Sequence, residues 1–203
     1  LASTDEIRSD DPQRQQHALF LADKVVELFD GGVFVLNSKG TVTATDRKHS
    51  DMVGQNLAIA PYFQNTRALR QPTFSDVVLD PARNAQAIVL TAPIISRDGV
   101  FQGMVMGVFS LLSQQLGREL QDLRLGEKGL AYIVDRNGRV IFHTTPGQIG
   151  QNYSDQLAVD RLQHGEAGGA FLHDDGQRSL YVIGFARVQT TGWGMVIHEP
   201  WSE

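Results

Sequence analysis

Any chemistry in this chain of 203 residues must come from six histidines, twenty-three carboxylates, eighteen cations and the hydroxyls, because it has no cysteine. The histidines stand at 17, 49, 143, 164, 173 and 198. No two have the i, i+4 or tight-loop spacing that brings imidazoles onto one cation. His143 and His173 fall at the ends of expected strands, and no metal is expected. An activated serine would need a Gly-x-Ser-x-Gly elbow, and the chain has none. Gly126-Glu-Lys-Gly129 is too short for a phosphate loop and lacks its Lys-Ser/Thr ending. Asp174 and Asp175 are adjacent carboxylates, but Gly176 behind them makes a turn a sufficient reason for both. Acid, base and nucleophile do not assemble. Neither catalysis nor a cofactor is expected.

Composition narrows the field further. The net charge is -5 and no run of Lys and Arg exceeds two or three residues. Nucleic acid is therefore not expected as a partner. A hydrophobic fraction of 41% supports a real core. The lack of cysteine fits an oxidising compartment. It also excludes disulfides, thiolate metal sites and a flavin–cysteinyl adduct. No stretch approaches the ~20 apolar residues of a membrane-spanning helix, and no signal peptide is visible. The ends, Leu1-Ala-Ser-Thr and Pro200-Trp-Ser-Glu203, read as cut from a longer chain.

The element that organises the sequence is a hairpin. Leu130-Ala-Tyr-Ile-Val134 is an apolar run, Asp135-Arg-Asn-Gly138 a turn, and Val140-Ile-Phe142 a second run. Asp accepts from the backbone two residues on, and Asn-Gly tolerates positive φ. The same layout occurs ninety-eight residues earlier, with Asn37-Ser-Lys-Gly40 as its turn. Gly54-Gln-Asn56 follows the first hairpin and Gly150-Gln-Asn152 the second; Gly103-Met-Val105 is echoed by Gly194-Met-Val196. Three markers in one order imply a duplicated architecture.

Residues 1–10 are polar and read as frayed. Asp11-Pro12 is a helix start, cap then proline. Leu19, Ala22, Val26 and Phe29 keep helical spacing up to Gly31-Gly32. One helix over 11–30 would be roughly 28 Å long. Residues 45–60 read as loop, 61–70 as a short helix, 74–79, 87–92 and 101–109 as strands, with Pro93 ending the second of these. The last strand does not alternate, so both its faces should be covered. Leu112, Leu116, Leu120 and Leu123 mark a linking helix. The second half repeats the order, with a short helix at 157–162 and strands at 168–173, 179–185 and 194–198. The expectation is an α+β fold: a long N-terminal helix in 1–30, a first module in 31–111, a linking helix in 112–126 and a second module in 127–203.

Val33-Phe-Val-Leu-Asn-Ser-Lys-Gly40, Pro61-Tyr-Phe63, Ala92-Pro-Ile-Ile-Ser-Arg-Asp-Gly99, the 129–141 hairpin and Thr191-Gly-Trp-Gly-Met-Val-Ile197 together resemble the double Cache domain. These are extracytoplasmic sensor regions of bacterial and archaeal membrane receptors. The resemblance runs from about Gln13 to Trp201. It implies two tandem PAS-like modules, each a five-stranded antiparallel sheet with flanking helices, strung on the long helix. The first would be membrane-distal and ligand-binding, the second membrane-proximal and often empty. It implies a full-length protein anchored in the membrane, this domain outside the cytoplasm, and a histidine kinase as output. A chemotaxis receptor or a diguanylate cyclase is the alternative, and a cytosolic PAS-type dimerisation or cofactor module the alternative class. A homodimer through the N-terminal helix is a further expectation, weak for an excised piece.

The resemblance also places a small-molecule ligand between the first sheet and the helix after Gly54. The candidates there are Tyr62, Arg67, Phe74, Asp76 and Thr91. Tyr62 offers a ring and a hydroxyl, and Arg67 a fork for a carboxylate. Each also has a plainer reading: Arg67 as a solvated helix face, Asp76 as a strand end, Thr91 as a backbone-bonded core hydroxyl. Amino-acid-binding relatives often carry Asp on or just after the closing strand and Arg before the Pro-Tyr-Phe element. Here Ser110 and Ala60 stand there. The ligand class expected is therefore a small carboxylate, or another small neutral or anionic metabolite. Binding would shift the module between conformations, passing the change along the helices and out through Pro200-Trp201.

Overall fold

The computed structural model describes residues 1–80, 83–111, 129–145, 147–174, 176 and 179–201. The chain divides into two compact units, Leu1–Ser110 and Leu111–Glu203.

The first unit opens with three short helices: α1 (Asp5–Arg8), α2 (Pro12–Leu21) and α3 (Asp23–Val26). The start signal works as the sequence indicates. Asp11 accepts from the Gln13 N–H at 2.9 Å and Pro12 takes the first helical position. The single long helix over 11–30 does not form, because the backbone leaves helical geometry at Ala22 (φ -94°, ψ 23°). The break lets Ala18 and Leu19 lie on one part of the sheet and Phe29 turn onto Phe109, with ring centroids 4.6 Å apart. Gly107 makes room, since a Cβ there would meet the Phe29 ring at 2.3 Å. Residues 1–10 are not frayed either. α1 buries Ile7 completely, and the Gln15 amide holds its end by donating to the carbonyls of Ile7 (3.2 Å) and Ser9 (2.7 Å).

The sheet holds β1 (Gly32–Asn37), β2 (Val42–Thr45), β3 (Thr73–Phe74), β4 (Val78–Leu79), β5 (Gln86–Ile95) and β6 (Phe101–Ser110). The order is β2-β1-β6-β5-β3, with β4 also on β5, all antiparallel. That is six strands where five were expected, because 74–79 is interrupted. Ser75 donates to the Asp76 carbonyl (2.6 Å) and accepts from the Val89 N–H (2.9 Å), which bends the chain out of the ladder. β5 runs through Pro93 instead of stopping there. Pro93 pairs with Met104 on one side, and no strand is registered against it on the other. A missing N–H costs nothing in that position.

Register divides the sheet into two covered faces. One cross-strand row runs Thr45, Phe34, Met106, Thr91, Thr73. This face packs on α4 (Pro61–Leu69) through Tyr62 and Phe63, and on Met52. Val33, Val35, Val105 and Ile94 point the other way, against Ile7, Ala18 and Leu19. β6 is apolar from Gly103 to Phe109 because alternate residues serve different cores. Part of the expected 45–60 loop is a 3-10 helix, Arg47–Met52, that Asp46 starts by accepting from the Lys48 N–H (2.8 Å).

The second unit has β7 (Leu130–Val134), β8 (Val140–His143), α5 (Leu157–Gln163), β9 (Gly168–Asp174), β10 (Leu180–Arg187) and β11 (Gly194–Pro200). Its order, β8-β7-β11-β10-β9, matches that of the first sheet. The hairpins agree bond for bond. Val42 donates to the Gln55 carbonyl as Val140 does to that of Gln151, and Gly54 to Val42 as Gly150 to Val140. Isolated bridges Thr41–Asn56 and Arg139–Asn152 complete the match. The linking helix expected at 112–126 lies outside the described residues.

Candidate functional site

Helix α4 begins at Pro61, whose ring presets the first turn. Its phase then decides which side chains meet the sheet. Tyr62 and Thr66, four apart, turn inward with Phe63; Arg67 comes out into solvent. It ends at Arg70, left-handed at φ 52°, whose guanidinium donates to the Gly99 carbonyl at 3.0 Å.

Where Thr66 meets the sheet, three hydroxyls converge. Thr66 and Thr91 lie 2.6 Å apart, Thr73 and Thr91 2.8 Å, and Thr66 and Thr73 3.2 Å. Thr66 also donates to the Tyr62 carbonyl (2.8 Å) and Thr91 to that of Thr73 (3.2 Å). Thr91 is fully buried. A chain of hydroxyls under one helix is a polar patch on an otherwise apolar face, and the rings and sulfurs around it are Tyr62, Phe34, Met104 and Met106. The Tyr62 hydroxyl is pushed up to about 12, by burial first and then by the charge of Asp80. Asp80 is itself 2% exposed, its N–H donating to the Ala85 carbonyl at 2.7 Å.

Of the five residues expected at a ligand, Tyr62 and Thr91 lie on this face. Arg67 is exposed, Asp76 is half-buried in the segment between β3 and β4, and Phe74 pairs with Leu90 on the opposite side of the sheet from Thr73. Thr66, Thr73 and Asp80 escaped sequence reasoning. The i, i+4 spacing from Tyr62 could have found Thr66. Nothing local announces the others: strand register brings Thr73 to Thr91, and Asp80 stands where its N–H donates to the Ala85 carbonyl.

A second cluster sits beside the start of β1. His49 Nδ1 lies 2.9 and 3.0 Å from the two oxygens of Asp46, and its Nε2 lies 3.3 Å from Arg83 Nη2. Burial pushes Asp46 up, but donors from the Val33 N–H, His49 and the Lys48 N–H outweigh it and hold the carboxyl below 3.8. A His–Asp pair can activate a nucleophile, yet His49 faces a guanidinium here. Among the described residues no group of three His, Asp or Glu is placed to hold a metal ion.

The second unit has an aromatic centre. Tyr132 stacks on His143 (5.5 Å, 3°), meets Tyr153 edge-on (5.2 Å, 85°) and lies 5.6 Å from the His198 ring. A cavity of about 200 Å³ opens between Leu162, Arg187, Arg136 and Trp193.

Two consecutive modules of one sheet order, each carrying a helix on one face, define a tandem PAS-like sensor architecture. The family model described as "Cache domain", the double Cache form, matches residues 5–203, and the chain belongs to that family. No curated protein matches the sequence. Among solved structures, an extracellular ligand-binding receptor of Desulfohalobium retbaense superposes with a TM-score of 0.71 at 16% identity, over 91% of this chain and 33% of that one. The chain thus spans about a third of that receptor's length. The ligand-binding domain of the Pseudomonas fluorescens chemoreceptor CtaA, in complex with L-serine, gives 0.72 at 17% identity, over 100% of this chain and 86% of the other. The extracellular domain of the histidine kinase mmHK1S-Z3 gives 0.72 at 16%, over 99% and 84%. At these identities the likeness establishes the fold. Among the described residues no helix is long and apolar enough to cross a membrane.

Proposed function

We propose that the chain is the extracytoplasmic ligand-sensing part of a membrane-anchored signalling receptor, with its ligand on the α4 face of the first sheet. The observation that carries this is a set of three converging hydroxyls, the buried Thr66 and Thr91 with the half-buried Thr73, beside the buried Tyr62 ring in the module a Cache receptor uses for recognition. Three hydroxyls and a phenol suit a small polar metabolite such as a carboxylate. Arg67 on the exposed side of α4 and Asp76 would complete the surroundings once the module closes, whereas Phe74, on the opposite side of the sheet, would support Thr73 from behind. Ligand binding favours one conformation of the module and shifts its population. The change travels along the chain to β11 and beyond Trp201. A histidine kinase is the proposed output, with a chemotaxis domain or a diguanylate cyclase as the alternative, and weak dimerisation through the N-terminal segment accompanies it.

One observation favours a second ligand class. Asp80 is buried close enough to act on the Tyr62 hydroxyl, and a carboxylate there suits a ligand that also bears an amine. A CtaA domain solved with L-serine and a PctB domain solved with L-Arg are fold relatives of this chain.

The test is a thermal-shift screen of small carboxylates and amino acids, in which a ligand at a hundred times its Kd stabilises by about 2.7 kcal/mol. The hit should vanish in Tyr62→Ala and weaken in Thr91→Val. A hit indifferent to both removes the proposed site. A receptor whose response survives loss of these side chains removes the function.

A further inference from the structure

A cavity with polar and charged lining lies on the other face of the first sheet. It measures about 280 Å³ and lies between α1 with its following loop, the β1–β2 turn, and the ends of β5 and β6. At ~30 Å³ per water it has room for a molecule replacing roughly nine waters.

Its walls are fixed by hydrogen bonds that leave two cations over. Gln15 donates to the carbonyls of Ile7 and Ser9 and accepts from the Thr43 hydroxyl at 2.6 Å. The Asn37 side-chain oxygen accepts from the N–H groups of Lys39 and Thr41, both at 3.0 Å. Both residues are thereby committed to holding loops in place. Arg8 and Lys39 also line the cavity. The Nε of Arg8 is buried and makes no hydrogen bond among the described residues. Neither cation is within ion-pair distance of a described carboxylate, Asp10 on the same wall included. A buried donor without an acceptor bears the full loss of its hydration. An oxygen anion in the cavity would pair with the charge of the Arg8 guanidinium, and Lys39 would supply the second charge.

We propose that this cavity is a second ligand site, separate from the Tyr62–Thr91 face, and that it takes a small organic carboxylate held by Arg8 and Lys39. The guanidinium offers the carboxylate a planar fork and the ammonium adds a point charge. Ile7 and Ile94 form the apolar floor for the carbon skeleton. The inference needs only the Cache fold and not the proposed occupancy of the Tyr62 face.

Calorimetric titration of the 203-residue chain with acetate, succinate and citrate tests it. At least one should bind with one-to-one stoichiometry. Arg8→Gln should weaken it about tenfold or more, the size expected for one hydrogen bond to a charged group. Lys39→Gln, at an exposed turn position where folding is not at stake, should weaken it in the same direction. Tyr62→Phe and Thr91→Val should leave it unchanged. Absence of binding by all three anions overturns the proposal. Binding that survives both charge removals overturns it too. Binding lost in Tyr62→Phe but kept in Arg8→Gln overturns it and places the carboxylate on the opposite face.

Discussion

Mild acid should destabilise the second module through His198. Its ring lies 5.6 Å from that of Tyr132, which is stacked on His143. Burial first, then the charges of His173 and His143, push His198 down from 6.5 to about 4. His143 is lowered as well, chiefly by burial. The unfolded chain takes up the His198 proton as pH falls through 6.5, whereas the folded chain resists until about 4. In that window the unfolded state binds more protons, so stability present at neutral pH is lost as pH falls. The whole shift corresponds to about 3 kcal/mol. Water reaching the partly exposed ring screens it, and about 1–2 kcal/mol is expected. For a chain of this size that is a drop in Tm of about 2–8 °C. The assay is thermal unfolding by circular dichroism at several pH values for the wild type and His198→Gln, so that titrating groups remote from His198 cancel. The variant should lose less stability on acidification. Equal losses in the two proteins between pH 6.5 and 4 would refute the assigned role of His198.

Thr91→Val keeps the shape of the side chain but leaves the hydroxyls of Thr66 and Thr73 without their shared partner. Urea unfolding should register about 1–3 kcal/mol, and Thr66→Val made on top of it should cost clearly less than it does alone; strict additivity would mean the three hydroxyls are not one network. Gly103 sits at φ 152° with an added Cβ only 2.0 Å from the Leu36 carbonyl oxygen. Gly103→Ala should cost about 3 kcal/mol in the same assay, and a neutral result would show that β1 and β6 can separate locally at little cost.

Local chemistry was legible where it is self-contained. Asp135 accepts from the N–H groups of Asn137 (2.9 Å) and Arg139 (2.8 Å), as Asn37 does in the first copy. A turn that satisfies itself can be read from its own residues. The N-terminal helix could not be read in the same way. Its apolar spacing continues through Ala22, and the break depends on Gly107 leaving a place for Phe29 some eighty residues away in the chain. The site divides along the same line. Tyr62 follows from the Pro61 start, and helical phase would have shown that Thr66, and not Arg67, shares its face. Thr73 reaches Thr91 only through strand register, and Asp80 acts on Tyr62 from a place eighteen residues further along the chain. Neither has a local signal.

The same register bears on how two ligands in the first module would affect each other. Phe34 and Leu36 pack with Tyr62, while Val33 and Val35, on the same strand, pack with Ile7 and Leu19. Leu36 belongs to the Tyr62 core and also lines the Arg8 cavity. β1 therefore cannot move toward one face without moving away from the other, because both cores rest on alternate residues of this one strand. Linkage then requires reciprocity: whatever factor the α4-side ligand applies to carboxylate affinity at Arg8, the carboxylate applies to it. Couplings of this kind are typically worth about 1–3 kcal/mol. Leu36→Ala should reduce the coupling while leaving Arg8 and Lys39 in place. Titrating succinate with and without the best hit of the thermal-shift screen measures it, and identical affinities would show that the strand does not transmit between its faces.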